Sequence, residues 1–345
     1  MEILVITTMR NEGPHCLEWI AHHLAAGVGH FLIYTNDCDD GTDAIMEALA
    51  NAGLVTHERL RPSQERPVQW QALKHASSHP RVRGADWALV LDCDEFINLR
   101  APLNSLQELI ARLPEGADAV AMAWRLFGNS GHIHAAEALT TERFTRAAPE
   151  DVALPLAHFV KSLFRPSRFR QLGVHRPRRR CGEVPLWVDG SGRPLPPGFA
   201  EACGRINLFG LSGGRDLVQL NHYALRSAEE FMAKRRRGLP NRMSREVGLG
   251  YWVERNFNMV EDTSIRRMLP ATRRRLEELL AIEGIEALQA ESRARHRVGL
   301  ARQLKDEAEN RLFLQLAMSA GSRVPDPAFV RAHVRRLAEA QSGNG

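Results

Sequence analysis

Two aspartates flank a single cysteine in Asp92-Cys93-Asp94, directly after the apolar run Trp87-Ala88-Leu89-Val90-Leu91. Alternate side chains of an extended chain share a face, so both carboxylates are expected on one side and Cys93 on the other. Paired carboxylate oxygens suit a hard divalent ion, Mg²⁺ or Mn²⁺, which keeps positions open for phosphate oxygens. Two further polar loops follow apolar runs. Arg10-Asn11-Glu12 comes after Ile3-Leu4-Val5-Ile6, and Asn36-Asp37-Cys38-Asp39-Asp40-Gly41-Thr42 comes after Phe31-Leu32-Ile33-Tyr34. The second loop has two readings. It is a turn that caps the next helix, or it offers a carboxylate, Asp39 first, to a nucleoside base or ribose. Arg10, Asn11 and Glu12 likewise frame a nucleotide or form a buried ion pair.

The elements that must position these loops alternate. Strands are expected at 3–6, 31–34, 54–57 and 87–91, and helices from Pro14 to about Gly27 or Gly29, from 43 to 52 and from 68 to 78. This is the pattern of an α/β fold, a mostly parallel sheet with helices on its faces, whose ligands bind at the carboxyl ends of the strands. Strands follow at 119–124 and 217–220. The Pro-, Arg- and Gly-rich stretch 176–198 reads as one long loop. After Ser227 the pattern turns helical, over 228–237, 272–281 and a charged segment 285–320, and 342–345 reads as disordered. The division is a catalytic domain over 1–240 and an α-helical C-terminal region over 241–345.

The 345 residues carry 44% hydrophobic content and a net charge of +5, enough to bury a large core. Arginine clusters at 178–180, 235–237 and 273–275 either attract anions, such as pyrophosphate or lipid headgroups, or line solvated helix faces. Five scattered cysteines without a C-x-x-C pair imply neither a disulfide framework nor a zinc knuckle. With only a four-residue apolar run at the N-terminus and no stretch of membrane-spanning length, a cytoplasmic protein is expected, reaching any membrane from its surface.

Met9-Arg10-Asn11-Glu12, the loop from Asn36 to Thr42, and Asp92-Cys93-Asp94-Glu95-Phe96 together resemble the GT-A glycosyltransferases of the family 2 type. Trp124 to His132, and Asn221-His222-Tyr223-Ala224-Leu225-Arg226-Ser227 with Glu229-Glu230-Phe231, resemble the family 92 branch and its bacterial relatives. The resemblance covers about residues 1–240. It implies a UDP- or GDP-linked sugar donor, with Thr8, Arg10, Asn11, Glu12, Asp37, Asp39, Lys74, Asp92 and Cys93 as its binding residues. It further implies Mn²⁺ or Mg²⁺ on Asp92, Asp94 and His222, with His175 the competing imidazole. The acceptor is expected to be a surface glycan or glycolipid, with peripheral contact to an anionic membrane and no nucleic-acid partner. Family 2 relatives usually invert the anomeric centre using an acidic base, and their late acidic pair is not evident here. Asp94, Glu183 and His132 are taken as catalytic candidates, with Glu201 and Asp151 also considered. Two rivals stand beside this reading. A sugar nucleotidyltransferase would carry a glycine-rich phosphate loop, whereas Thr7 to Gly13 holds one glycine. A non-catalytic protein that binds anions, nucleic acid or membranes would depend on its basic tail and not on Asp92 or Asp94.

Overall fold

The computed structural model describes residues 1–63, 66–211, 213–239 and 246–342. Strands β1 (Ile3–Met9), β2 (His30–Thr35), β3 (Val55–Arg59) and β4 (Trp87–Val90) alternate with helices α1 (Gly13–Ala25), α2 (Thr42–Asn51) and α3 (Val68–Ala76). Then come β5 (Glu95–Leu99), β6 (Ala119–Leu126), β7 (Val160–Phe164), β8 (Trp187–Asp189) and β9 (Val218–His222). Among the described residues these strands form one nine-stranded sheet in the order β3-β2-β1-β4-β7-β6-β9-β5, with β8 paired to the start of β6. Most pairs are parallel. The exceptions are β7, antiparallel to both β4 and β6, and β5, antiparallel to β9.

The apolar runs explain the layering. In β1, Ile3 and Val5 face one core with Trp19 of α1, while Leu4 and Ile6 face a second core with Leu73 and Ala76 of α3. A strand buried on both faces needs helices on both faces, which is why its sequence is continuously apolar. Pro14 opens α1, where its missing N–H costs no helical bond. Two strands escape the sequence pattern. The tetrad Asp92 to Glu95 reads as one acidic loop, yet Glu95 already begins β5. The stretch 176–198 is not one loop, because Trp187-Val188-Asp189 pairs with β6 between proline-rich flanks.

The C-terminal helices are α4 (Ala228–Arg237), α5 (Leu269–Leu280), α6 (Ile285–Gln303) and α7 (Glu307–Met318). The segment expected as one long helix breaks in two because Asp306 caps a new start, its carboxylate accepting from Glu309 N at 3.0 Å. Ile265, Met268, Leu279 and Ile285 share the core that contains β1 and α1. The expected boundary at 240/241 lies outside the described residues, as do 343–345 of the tail read as disordered. The final helix runs to Ser342. The five cysteines are free. No helix among the described residues is long and apolar enough to cross a membrane.

Helix α6 is fastened to the loop after β2. His296 Nε2 pairs with Asp40 Oδ2 at 2.8 Å, Ser292 Oγ donates to the same oxygen at 3.3 Å, and Arg295 donates to the Asp39 carbonyl at 3.1 Å. Asp40 also accepts from the backbone of Gly13 and Thr42 and from the Thr42 hydroxyl. The approach is tight enough to require glycine at 13, where a Cβ would lie 2.1 Å from Ser292 Oγ. Burial works to raise the Asp40 pKa, but the bonds from His296 and Thr42 outweigh it and bring it down to about 2, against an ordinary 3.8. A carboxyl depressed on folding stabilises above its unfolded value and loses that contribution as pH falls through the folded one. Asp40→Asn is therefore expected to cost about 2 kcal/mol at pH 7. In urea unfolding, its difference from wild type should shrink between about pH 4 and pH 2; a difference that does not change with pH rules out this origin.

Candidate active site

A cleft of about 610 Å³ opens at the carboxyl ends of β1, β2 and β4. Its floor comes from Thr8, Met9 and Arg10 after β1, Asn36 and Asp37 after β2, and Asp92, Cys93 and Asp94 after β4. Trp124 of β6 and His222 of β9 form a second wall, and Lys234 and Arg237 of α4 a third. The loops begin with strained backbone. Asn11 and Asp37 both adopt left-handed conformations, φ 54° and 46°, which Asn and Asp tolerate better than most residues. Asn11 Oδ1 accepts from Asp39 N at 2.9 Å, tying the first two loops together.

Asp92-Cys93-Asp94 is a turn, not an extended continuation of β4. Glu95 N donates to the Asp92 carbonyl at 3.0 Å, and Glu95 Oε2 accepts from Asp92 N at 2.8 Å. The expected alternation therefore does not hold, and Cys93 lines the cleft together with both aspartates. The turn sends the two carboxylates to different partners. Asp92 accepts from Gln69 Nε2 at 2.7 Å and from Lys161 Nζ at 2.9 Å. Asp94 accepts from Lys234 Nζ at 2.6 Å, and His222 Nε2 lies 3.6 Å from its other oxygen.

Burial works to raise the pKa of Asp94, but Lys234 and His222 hold it well below the usual carboxylate range. Asp92 is also lowered, with burial opposed mainly by Lys161. Glu95 goes the other way. Burial raises it to about 8, the charges of Asp92 and Asp94 adding to the effect and Lys161 opposing it. Its carboxylate is wholly buried, accepting from Trp124 Nε1 at 2.7 Å and lying 3.2 Å from Lys161 Nζ. Burial lowers both nearby histidines, His222 against the pull of Asp94 and His175 to about 4. The Trp124 ring packs against His222, tilted by 41° with centroids 4.1 Å apart, and meets His175 edge-on at 5.6 Å.

The cations beside the cleft are braced rather than loose. Glu12 pairs with both Arg226 and Arg237, and Arg237 also donates to the Arg10 carbonyl at 3.0 Å. Arg226 donates to the Cys93 carbonyl at 2.9 Å, locking the acidic turn. Helix α4 starts with a capping box between Ser227 and Glu230, which fixes the phase that brings Lys234 and Arg237, one turn apart, to the cleft.

With this geometry in place, likeness to known proteins decides the family. The family model described as glycosyltransferase family 92 matches residues 11–186, about half of the chain. The chain belongs to glycosyltransferase family 92. A family 92 protein of Ricinus communis is 31% identical over 137 residues, 39% of this chain and 24% of that protein. One from Oryza sativa is 29% identical over 154 residues, 42% of this chain and 25% of that protein. The chain thus spans about a quarter of the length of these family 92 relatives. Among solved structures, residues 1–349 of S. aureus TarS align over 82% of this chain and 74% of that one, at 14% identity and a TM-score of 0.35.

Of the predicted site residues, this family 92 fold brings Thr8, Arg10, Glu12, Asp37, Asp92, Cys93, Asp94 and His222 to one cleft, with His175 among them. Others stand apart. Asp39 and Lys74 are exposed outside the cleft lining, and Asn11 braces the loops from behind. His132 is exposed and pairs through Nε2 with the Arg143 carbonyl at 3.1 Å, while Glu183 lies 3.8 Å from Arg168; neither lines the cleft. Asp39 stands outside the lining because its neighbour Asp40, fixed to α6, holds the loop with Asn36 and Asp37 towards the cleft. Sequence reasoning passed over Lys161, Lys234, Tyr251 and Arg255. A signal for Lys161 was present: a lone charge inside the apolar strand Val160-Lys161-Ser162-Leu163-Phe164.

Removing one partner of a buried ion pair leaves an uncompensated charge. Lys161→Met is therefore expected to destabilise by about 3–5 kcal/mol in urea unfolding. Adding Glu95→Gln should recover part of that loss. Strict additivity in the double-mutant cycle would show that the two groups do not act as one cluster.

Proposed function

We propose that this glycosyltransferase takes its sugar from a nucleotide-diphosphate donor, UDP- or GDP-linked, seated in the cleft with a divalent ion. The observation that carries the proposal is the meeting of Asp92, Asp94 and His222 with Arg10, Lys234, Arg237 and Arg255 around a single volume. A pyrophosphate needs cations and an ion needs carboxylates, and each would complete the other.

Two carboxylates and one imidazole fit Mn²⁺ or Mg²⁺ in donor chemistry. The buried Nδ1 of His222 has no hydrogen-bond partner among the described residues, and the ring is held by its tilted contact with Trp124 and by Asp94. Among the described residues, no group of three or more His, Cys, Asp or Glu stands so that it could hold a metal ion by itself. Phosphate oxygens and water would therefore fill the remaining positions. When bound, the ion supplies Lewis-acid stabilisation of the departing nucleoside diphosphate.

The chain's own residues do the rest. Thr8, Asn36 and Asp37 border the nucleoside end, and Arg10 and Arg237 offset the charge that grows on the leaving phosphate. Trp124, Phe159 and Tyr251 also line the cleft and offer aromatic carbon for a sugar to pack against. The reading extends to a hexosyl group transferred with inversion to a surface glycan or glycolipid hydroxyl. It also takes in a cytoplasmic site of action and peripheral contact of the arginine-rich helices with anionic lipid. Family membership weighs against the nucleotidyltransferase and non-catalytic alternatives.

The test is a thermal-shift titration with UDP, GDP and their sugars, with and without Mn²⁺, on wild type and on Asp92→Asn/Asp94→Asn. One nucleotide is expected to stabilise wild type by about 2.7 kcal/mol at a hundred times its Kd, only with metal, and not to stabilise the variant. No shift with any nucleotide in a folded wild type would sink the proposal.

A further inference from the structure

Among the described residues, six that line the cleft carry a carboxylate or an imidazole able to accept a proton: Glu12, Asp37, Asp92, Asp94, His175 and His222. Five are committed elsewhere or stand at the wrong end. Glu12 is held by Arg226 and Arg237, Asp92 by Gln69 and Lys161, and Asp94 by Lys234 with His222 beside it. The Nε2 of His222 faces Asp94, and its unpartnered Nδ1 is sealed by protein. Asp37 is exposed after β2 and accepts from the Asn36 amide at 3.0 Å, at the end of the cleft assigned above to the nucleoside.

His175 differs from the other five. Its Nδ1 lies 3.0 Å from the Val160 carbonyl, and a carbonyl only accepts, so the ring hydrogen sits on Nδ1. In the neutral ring the lone pair is then on Nε2, which has no hydrogen-bond partner among the described residues. Burial keeps the ring neutral, its pKa lowered to about 4. Phe159 and Trp124 meet the imidazole edge-on, at 5.3 and 5.6 Å between centroids, and Ser162 Oγ donates to the His175 carbonyl at 2.8 Å. The next residue is an anchor: the buried Arg176 guanidinium lies 4.5 Å from the Trp187 and Phe199 rings and donates to the Phe199 and Arg205 carbonyls. Val160 begins β7, whose antiparallel course puts its start beside the carboxyl end of β4. In the sheet, β7 is three places from β2, roughly 14 Å at about 4.8 Å per strand. The transferred sugar and its acceptor belong on this side, away from the nucleoside.

Resting on the reading of a nucleotide-diphosphate donor and an inverting transfer, we propose that Nε2 of His175 is the general base for the acceptor hydroxyl. The acceptor oxygen bonds to the anomeric carbon as its proton passes to Nε2. The bond from that carbon to the diphosphate oxygen breaks, and its electron pair leaves with the nucleoside diphosphate. A hydroxyl turns acidic only as it bonds to the electron-poor carbon, so its base must be unprotonated and in place beforehand.

The experiment compares two acceptors, one with a proton to lose and one without. Nucleoside diphosphate release from a panel of UDP- and GDP-sugars is followed in water alone and with sodium azide, on wild type, His175→Asn and His175→Gln, with donor binding measured separately by calorimetry. The Asn amide can keep the bond to Val160, but neither amide is a base. Both variants are expected to lose about a hundredfold of the water reaction while binding donor within about twofold of wild type. Azide attacks without giving up a proton, so with it the variants should release nucleotide at nearly the wild-type rate and form the glycosyl azide. Damage to the shape of the cleft would slow both acceptors alike. Equal losses with water and azide, or a water reaction within about fivefold of wild type, overturn the assignment and leave the donor reading standing. No donor bound by wild type under any condition overturns both. Should neither variant fold by circular dichroism, wild type decides in D₂O: hydrolysis is expected to slow about twofold and azide transfer not at all, and equal behaviour of the two overturns the base.

Discussion

The floor of the cleft depends on one wholly buried ammonium. Lys161 enters from β7, the antiparallel strand inserted between β4 and β6, and stands between Asp92 and Glu95. Burying a charge is costly unless it is paired and its hydrogen bonds are met. Burial opposes charge on Lys161, but Asp92 and Glu95 overcome it and raise its pKa above the ordinary value. The same ammonium keeps Asp92 ionised at the end of β4. The inserted strand therefore does more than widen the sheet. It carries the counter-charge that lets two carboxyls sit side by side beneath the cleft.

Around that cluster, the aromatic groups set the geometry. Trp124 gives its indole N–H to Glu95, its ring face to His222 and its edge region to His175. A single side chain thus connects the buried carboxyl to both imidazoles that border the cleft. Tyr223, next to His222, packs against Phe96 and Phe127 and hydrogen-bonds Asn221, so the strand that presents His222 is held on both sides. Rigid placement of this kind is what an electrostatic site requires, because its donors must already stand where charge will develop.

Much of the fold and the acidic half of the site could be read from the chain. Continuous apolar runs such as Ile3 to Ile6 identify strands buried on both faces, and the polar loops that follow them must lie at the strand ends where ligands bind. The basic half was harder to read. Lys234 and Arg237 look like ordinary members of a charged helix until the Ser227 cap fixes the helical phase, and Lys161 is separated from Asp92 by 69 residues of chain. The choice between Asp37 and Asp39 turned on Asp40, whose partners on α6 no local pattern announces. Residues that act through distant contacts carry no periodic signal of their own.

The bond between His296 and Asp40 spans 256 positions of chain. During synthesis, every strand of the sheet is available well before α6, yet the loop that carries Asn36 and Asp37 lacks its brace until residue 296 has left the ribosome. This side of the cleft is therefore among the last parts of the molecule to be completed. A nascent chain can hold a formed core while this side of the cleft is still unbraced, so the helical region completes what the sheet begins.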